Sequence, residues 1–195
     1  MMQSLPPDSA QAQLAEIIEV ARTGDQKAFT QLYEHYNAPI CTYIAHYIGN
    51  DEVGRDLAQE TFIRAWKGLP KLQGDISFRP WLYRIATNVA RTHLQRERLV
   101  NWLPRKGEQK NSPQSVLSVA GPEEQIGEQD CITQVLATLP PQPRMCLLLQ
   151  HVAGFSQREI ATILSISEKS VSAYVSRGRE QFRLTYFQLK GESLR

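Results

Sequence analysis

The sequence predicts an all-α protein built as two small helical domains joined by a flexible linker, the C-terminal domain containing a helix-turn-helix. Three observations carry that expectation. Apolar residues recur at helical spacing through every patterned stretch, with no competing strand alternation. Residues 99–127 are polar, rich in Pro and Gly, and without sustained period, so they divide the chain. Residues 156–183, SQREIATILSISEKSVSAYVSRGREQFR, hold two capped helical patterns separated by a short turn. A chain of 195 residues can bury one large or two modest cores.

In order, residues 10–22 place Leu14, Ile17, Ile18 and Ala21 on one helical face, closed by Gly24. Asp25 can cap the next helix, where Phe29, Leu32, Tyr33, Tyr36, Ile40, Tyr43, Ile44 and Tyr47 keep the period. That aromatic stripe reads as core, and Pro39 within it should kink or break the helix. Gly49-Asn50-Asp51 ends the segment and residues 52–67 form a third helix, apolar at Val53, Leu57, Thr61, Phe62, Ala65 and Trp66. Residues 68–78 read as a loop, after which Ser77 and Pro80 start a fourth helix over 79–98. Its inner side is Leu82, Ile85, Ala86, Val89 and His93; its outer ridge is Trp81, Arg84, Asn88, Arg91, Gln95 and Arg98.

Beyond the linker, residues 128–139 are helical through Ile132, Val135, Leu136 and Leu139, Pro140-Pro141 is a stop, and residues 144–152 form a short apolar helix ended by Gly154. Ser156 and Glu159 have capping-box spacing and open a helix with Ile160, Ala161, Ile163 and Leu164 on one side. Ser167 caps a second, whose inner positions are Val171, Val175, Gly178 and Phe182. Small, polar and basic residues face outward from it: Lys169, Ser172, Ala173, Ser176, Arg177 and Arg179. Small outward residues let a helix backbone approach a DNA major groove, and Arg can take guanine in a two-pronged fork. The plainer alternative is a helical hairpin with a solvated charged face. Lys190 onward reads as a frayed tail.

Charge is local rather than global. Net charge is only +2, yet residues 79–98 set five arginines against one glutamate, a net +4. An aromatic ring beside Arg and Asn on that ridge suits single-stranded nucleic acid, whose bases stack while cations track phosphates; a solvated basic face with Trp81 half buried is the alternative. Glu52, Asp56, Gln59 and Glu60 make an acidic stripe, either solvated or a docking face for a basic partner. No apolar run approaches membrane-spanning length and MMQSLPPDSAQ lacks a signal pattern, so a soluble cytoplasmic protein is expected. Cys41, Cys131 and Cys146 lack metal-ligand spacing and read as buried thiols. His35, His46, His93 and His151 have no HExxH or ExxH partner, and neither a Gly-rich phosphate loop nor a nucleophile–base pair can be nominated. The expectation is therefore no enzyme, no cofactor and no metal.

The order of these parts resembles a known family. DLAQETFIRAWKGLPKLQGDISFRPWLYRIATNVARTHL (56–94) looks like the core of the N-terminal domain of extracytoplasmic-function sigma factors, the short promoter-specificity subunits of bacterial RNA polymerase. GDQKAF (24–29) and LYEHY (32–36) are similar to that family's opening helices, and LSISEKSVSAYVSRGRE (164–180) to its closing helix-turn-helix. The resemblance implies an N-terminal domain over 10–98, a linker over 99–127 threading the polymerase, and a C-terminal domain over 128–190. It implies docking on the clamp helices of core RNA polymerase through Asp56, Gln59, Glu60, Thr61 and Phe62. It places Lys71, Gly74, Asp75, Ser77 and Phe78, with Trp81, Arg84, Asn88 and Arg91, where the minus-ten element is melted and a base captured. It places Arg158, Lys169, Ser170, Ser172, Ala173, Ser176, Arg177 and Arg179 where promoter DNA is read at minus thirty-five, partly by shape. An inhibitory anti-sigma protein is a possible further partner; no membrane contact is implied. Two departures stand out. Ser172 and Tyr174 lie where the family usually has basic residues, and Gly178 replaces the usual Ala at about 1 kcal/mol of helix propensity. A free-standing helix-turn-helix regulator with an N-terminal sensing domain is the competing class, but no ligand pocket or phosphoacceptor pattern supports it.

Overall fold

The computed structural model describes residues 7–72, 77–102 and 128–190. These form eight α-helices and no strand: α1 (Pro7–Arg22), α2 (Gln26–Ile48), α3 (Asp51–Gly68), α4 (Phe78–Trp102), α5 (Glu128–Thr138), α6 (Pro141–His151), α7 (Gln157–Leu164) and α8 (Glu168–Leu189). A single 3-10 turn, Leu69–Lys71, follows α3. Helices α1–α4 make one unit and α5–α8 the other.

Local chemistry sets most helix ends. Asp25 and Asn50 accept from the amides of Ala28 and Val53, capping α2 and α3. Gly49 closes α2 at φ 84°, a left-handed position that glycine occupies without strain. Ser156 and Glu159 complete both halves of the capping box on α7, and Ser167 caps α8.

Several boundaries differ from the sequence reading. Pro39 does not divide α2, which runs on through it. Pro39 and His35 are both exposed, so the carbonyl that the proline leaves without an amide partner lies on the solvent side. Helix α4 continues to Trp102, past the expected start of the linker, of which residues 103–127 lie outside the described residues. The chain does stop at the proline pair, α5 ending at Thr138, but α6 begins at Pro141 rather than Arg144, since proline fits the first turn, where a missing amide costs nothing. The second helix of the helix-turn-helix extends past residue 183, where the patterned stretch ends, to Leu189.

The two units are not held apart. Buried side chains from both join one continuous core, from Leu32, Tyr43 and Leu82 to Leu148, Ile160 and Val175. Helix α7 packs on α4, and α5 and α6 pack on α2. Across this seam Tyr83 meets Phe155 edge-on at 4.9 Å, and the Arg79 guanidinium sits 4.2 Å from the Phe155 ring centre. Close helix approach is arranged by glycine at two places. A Cβ on Gly54 would stand 2.8 Å from the Ala45 backbone, and one on Gly178 would stand 3.1 Å from the Pro143 carbonyl oxygen. The propensity lost at Gly178 is thus the condition for seating α8 against α6.

Candidate docking and nucleic-acid surfaces

The first surface is a groove of about 1000 Å3 between α2 and α3. Along α2, Phe29, Tyr33, Asn37 and Cys41 line it at steps of four; along α3, Asp56, Gln59, Phe62, Ile63 and Trp66 face them. Of the five residues expected at a docking face, Asp56 and Gln59 are exposed on the wall. Phe62 is buried but its ring forms the floor, edge-on to Tyr33 at 4.9 Å. Glu60 is half-buried and paired with Arg64. Thr61 is fully buried, its hydroxyl donating to the Leu57 carbonyl at 2.8 Å, so it has no surface to offer. The helical period alone places Tyr33 with the core, which hides the apolar half of this groove. Tyr33 is 39% and Ile63 49% exposed. The step-of-four run Phe29–Tyr33–Asn37–Cys41, offset from the buried Leu32–Tyr36–Ile40 run, was the available signal.

The second surface lies on α4 and the described residues just before it, Lys71 and Ser77. Lys71, Ser77, Arg84 and Asn88 are exposed. Trp81 is not on an outward ridge: it is 8% exposed, its ring 5.7 Å from Phe78 and packed over Gly68. Phe78 is buried as well, against Tyr36 at 5.4 Å. The reason is that α4 is packed by three helices, α2, α3 and α7, so Trp81, Leu82 and Tyr83 are all buried in succession. Arg91 is half-buried at the seam, one guanidinium nitrogen 3.8 Å from the Met145 sulfur. Gly74 and Asp75 lie outside the described residues.

The third surface is the helix-turn-helix. Arg158, Lys169, Ser172, Ala173, Ser176, Arg177 and Arg179 are all exposed, while Val171, Val175 and Gly178 are buried on the opposite side of α8. Ser170 is half-buried and engaged in the cap: its amide donates to the Ser167 hydroxyl at 3.1 Å and the two hydroxyls are 2.8 Å apart. Arg179 reaches back to within 3.4 Å of His151 Nε2. The Ser156 hydroxyl and amide both contact the Glu159 carboxylate, holding it below the usual carboxylate range.

Buried groups elsewhere are structural. Arg144 is 9% exposed, and burial holds its guanidinium below the usual arginine range. It donates to the Tyr47 and Leu139 carbonyls at 3.0 and 2.8 Å, and to that of Ala137. The three cysteines are free thiols; Cys131 and Cys146 are buried, and burial pushes the Cys146 thiol up to about 11. Among the described residues no helix is long and apolar enough to cross a membrane, and no group of three His, Cys, Asp or Glu is placed to hold a metal ion.

Two separated surfaces thus carry basic and small polar residues, one on the helix-turn-helix and one preceding it, beside an acidic and apolar groove. Residues 32–100 match the family described as Sigma-70 region 2, and residues 129–182 match Sigma-70, region 4. The chain belongs to the sigma-70 family, whose members bind core RNA polymerase and direct promoter-specific initiation of transcription. Within it the chain is an extracytoplasmic-function sigma factor. It is 29% identical over 171 residues to the ECF RNA polymerase sigma-E factor of Escherichia coli, covering 84% of this chain and 89% of that protein. It is likewise 29% identical over 177 residues to the RNA polymerase sigma-H factor of Pseudomonas aeruginosa, covering 87% and 92%. The fold is shared with CnrH, solved in complex with the cytosolic domain of CnrY, at TM-score 0.64 and 23% identity over 91% of this chain and 97% of that one. It is shared too with RpoE of Bartonella quintana, solved with the anti-sigma factor NepR, at TM-score 0.66 and 20% identity over 82% and 96%.

Proposed function

We propose that the three surfaces divide the work of initiation among themselves. The α2–α3 groove docks the polymerase: Asp56 and Gln59 steer a basic helical partner, and the Phe29, Tyr33, Phe62 and Ile63 rings and side chains supply the apolar seat. Lys71, Ser77, Arg84 and Asn88 hold the non-template strand at the minus-ten element after melting, with the half-buried Arg91 at the edge of that surface and Gly74 and Asp75 in the base-capturing segment. Phe78 and Trp81 support this surface from within rather than stacking on a base. Arg158, Lys169, Ser172, Ala173, Ser176, Arg177 and Arg179 read the minus-thirty-five duplex, with Ser170 fixing the helix end that enters the groove. These assignments correspond to working domains over residues 10–98 and 128–190, joined by a linker. The observation that carries the reading is the face of α8 between Lys169 and Arg179, where Lys169, Ser172, Ala173, Ser176, Arg177 and Arg179 are exposed while Val171, Val175 and Gly178 are buried opposite them.

The protein acts in the cytoplasm without catalysis of its own, supplying recognition to an enzyme that does the chemistry. Because CnrH and RpoE were solved with CnrY and an anti-sigma factor, an inhibitory protein partner is proposed for this chain as well.

Run-off transcription with purified bacterial core polymerase on a promoter library tests the reading. Promoter-dependent transcripts that vanish without the chain are expected; failure with every core tested would overturn it. Asp56→Arg should abolish polymerase binding while leaving upstream duplex binding intact, and normal polymerase affinity in that variant would refute the docking groove.

A further inference from the structure

Where α2, α4 and α6 meet there is a gap of about 140 Å3. Arg91, Gln95 and Arg98 line it from α4, Tyr47 from α2 and Gln142 from α6. Among the described residues no acidic side chain lines it, and neither arginine pairs with a carboxylate. Arg144 brings a third guanidinium close by, 6.0 Å from the centre of the Tyr47 ring. Burial, opposed by Tyr47 and assisted by Arg98, holds Arg144 below the usual arginine range. Cations gathered this closely repel one another, and nothing in the walls offsets them.

The neutral polar groups around the gap include spare donors. Tyr47 is only 1% exposed, yet its hydroxyl has no hydrogen-bond partner among the described residues. Such a group has given up its bonds to water without a replacement. Burial pushes the phenol above its usual range, with Arg144, Arg91 and Arg98 acting the other way, so the oxygen keeps a proton to donate at neutral pH. No side chain caps α6. Prolines at 141 and 143 carry no amide, and that of Arg144 donates to the Pro140 carbonyl. The Gln142 amide is thus left without a backbone partner, at the positive end of the helix dipole.

Donors arriving from three helices suit a tetrahedral oxyanion better than a planar carboxylate, which offers two oxygens and one charge. The volume falls short of the ~300–1,000 Å3 of pockets that enclose drug-sized ligands, so the gap takes the anion rather than a whole nucleotide. We propose that it binds the phosphate group of a small molecule, free phosphate or the end of a phosphate ester, gripped by Arg91 and Arg98 with Tyr47, Gln95 and Gln142 as neutral donors. Because Arg91 also stands at the edge of the minus-ten surface, occupancy would withdraw one cation from that edge. That consequence rests on the sigma-factor reading above; the site itself does not.

The test is calorimetric titration of the free full-length chain at constant ionic strength, with inorganic phosphate, pyrophosphate and glycerol phosphate as probes. Arg98→Gln removes a charge from the site and Tyr47→Phe a hydroxyl. Arg96→Gln is the control, since it removes an exposed charge of the same helix outside the gap. Helix content from circular dichroism accompanies each; should Tyr47→Phe lose helix, the two arginine variants decide. The wild type should bind one probe molecule per chain. Arg98→Gln and Tyr47→Phe should each weaken that binding about tenfold, and Arg96→Gln should leave it unchanged. Binding of glycerol phosphate would identify the ligand as a phosphate ester, and binding of the free ions alone as inorganic phosphate. No binding of any probe up to about 10 mM, unchanged affinity in Arg98→Gln, or an equal loss in Arg96→Gln would each overturn the site. Absence of run-off transcription would instead refute the sigma-factor reading, whatever the titration shows.

Discussion

Ser156 and Glu159 show how far a single pair of residues can be read. Their spacing announces a capping box, and the structure contains both of its hydrogen bonds. Ser156→Ala should cost about 1 kcal/mol in urea denaturation. Because the folded Glu159 carboxyl is held below its unfolded value, its contribution is complete above the unfolded carboxylate range and disappears as pH falls through the folded value. The stability difference between wild type and Glu159→Gln should therefore be largest at neutral pH and shrink toward pH 3; a gap that persists in acid would remove the charge from the explanation. Arg144 was not legible in this way. An arginine beside an apolar run looks like a surface residue, and only the convergence of three carbonyls from two helix ends, those of α2 and α5, explains its burial. Cys146, with its thiol pushed up to about 11, should label with thiol reagents only at the rate of unfolding.

At the scale of elements, periodicity gave the phase of each helix but not the number of its neighbours. Helix α4 has one apolar face in the sequence and is packed by α2, α3 and α7 in the fold, which is why Trp81 and Tyr83 are both buried. Trp81→Ala should accordingly lower stability by about 3–5 kcal/mol, measured by thermal or urea unfolding. Asn88→Ala, at an exposed position, should leave stability unchanged and impair promoter opening, read by permanganate reactivity of the melted strand. A Trp81 variant of native stability would return the ring to the DNA surface. Helix contact also fixes the glycines: Gly54→Ala should destabilise by about 1–3 kcal/mol, since the new methyl meets the backbone of α2 and no flexible side chain can yield. A propensity argument alone predicts the opposite sign.

For the whole molecule, the small net charge makes DNA binding a matter of local contacts. If Arg158, Lys169, Arg177 and Arg179 each meet a phosphate, the affinity of the upstream duplex should fall with salt at a log–log slope of roughly −3 to −4. Arg177→Ala should weaken that binding by about 1–3 kcal/mol if the residue reads a base, with relaxed preference at one position. An unchanged footprint would turn Arg177 toward solvent. The same scale decides how the units sit. Their separate patterns suggested independent bodies on a tether, whereas the buried residues form one core with arginines crossing it both ways.

By itself the sequence determined the all-α class, the helix caps, the helix-turn-helix and its outward face, because these depend on residues within a few positions of one another. Tertiary structure alone decided that Thr61 and Trp81 are buried, that Tyr33 and Ile63 line a groove, and that the two units close on each other. Those properties depend on which distant helix arrives at a given face, and a helical period records that a face is apolar without recording what will cover it.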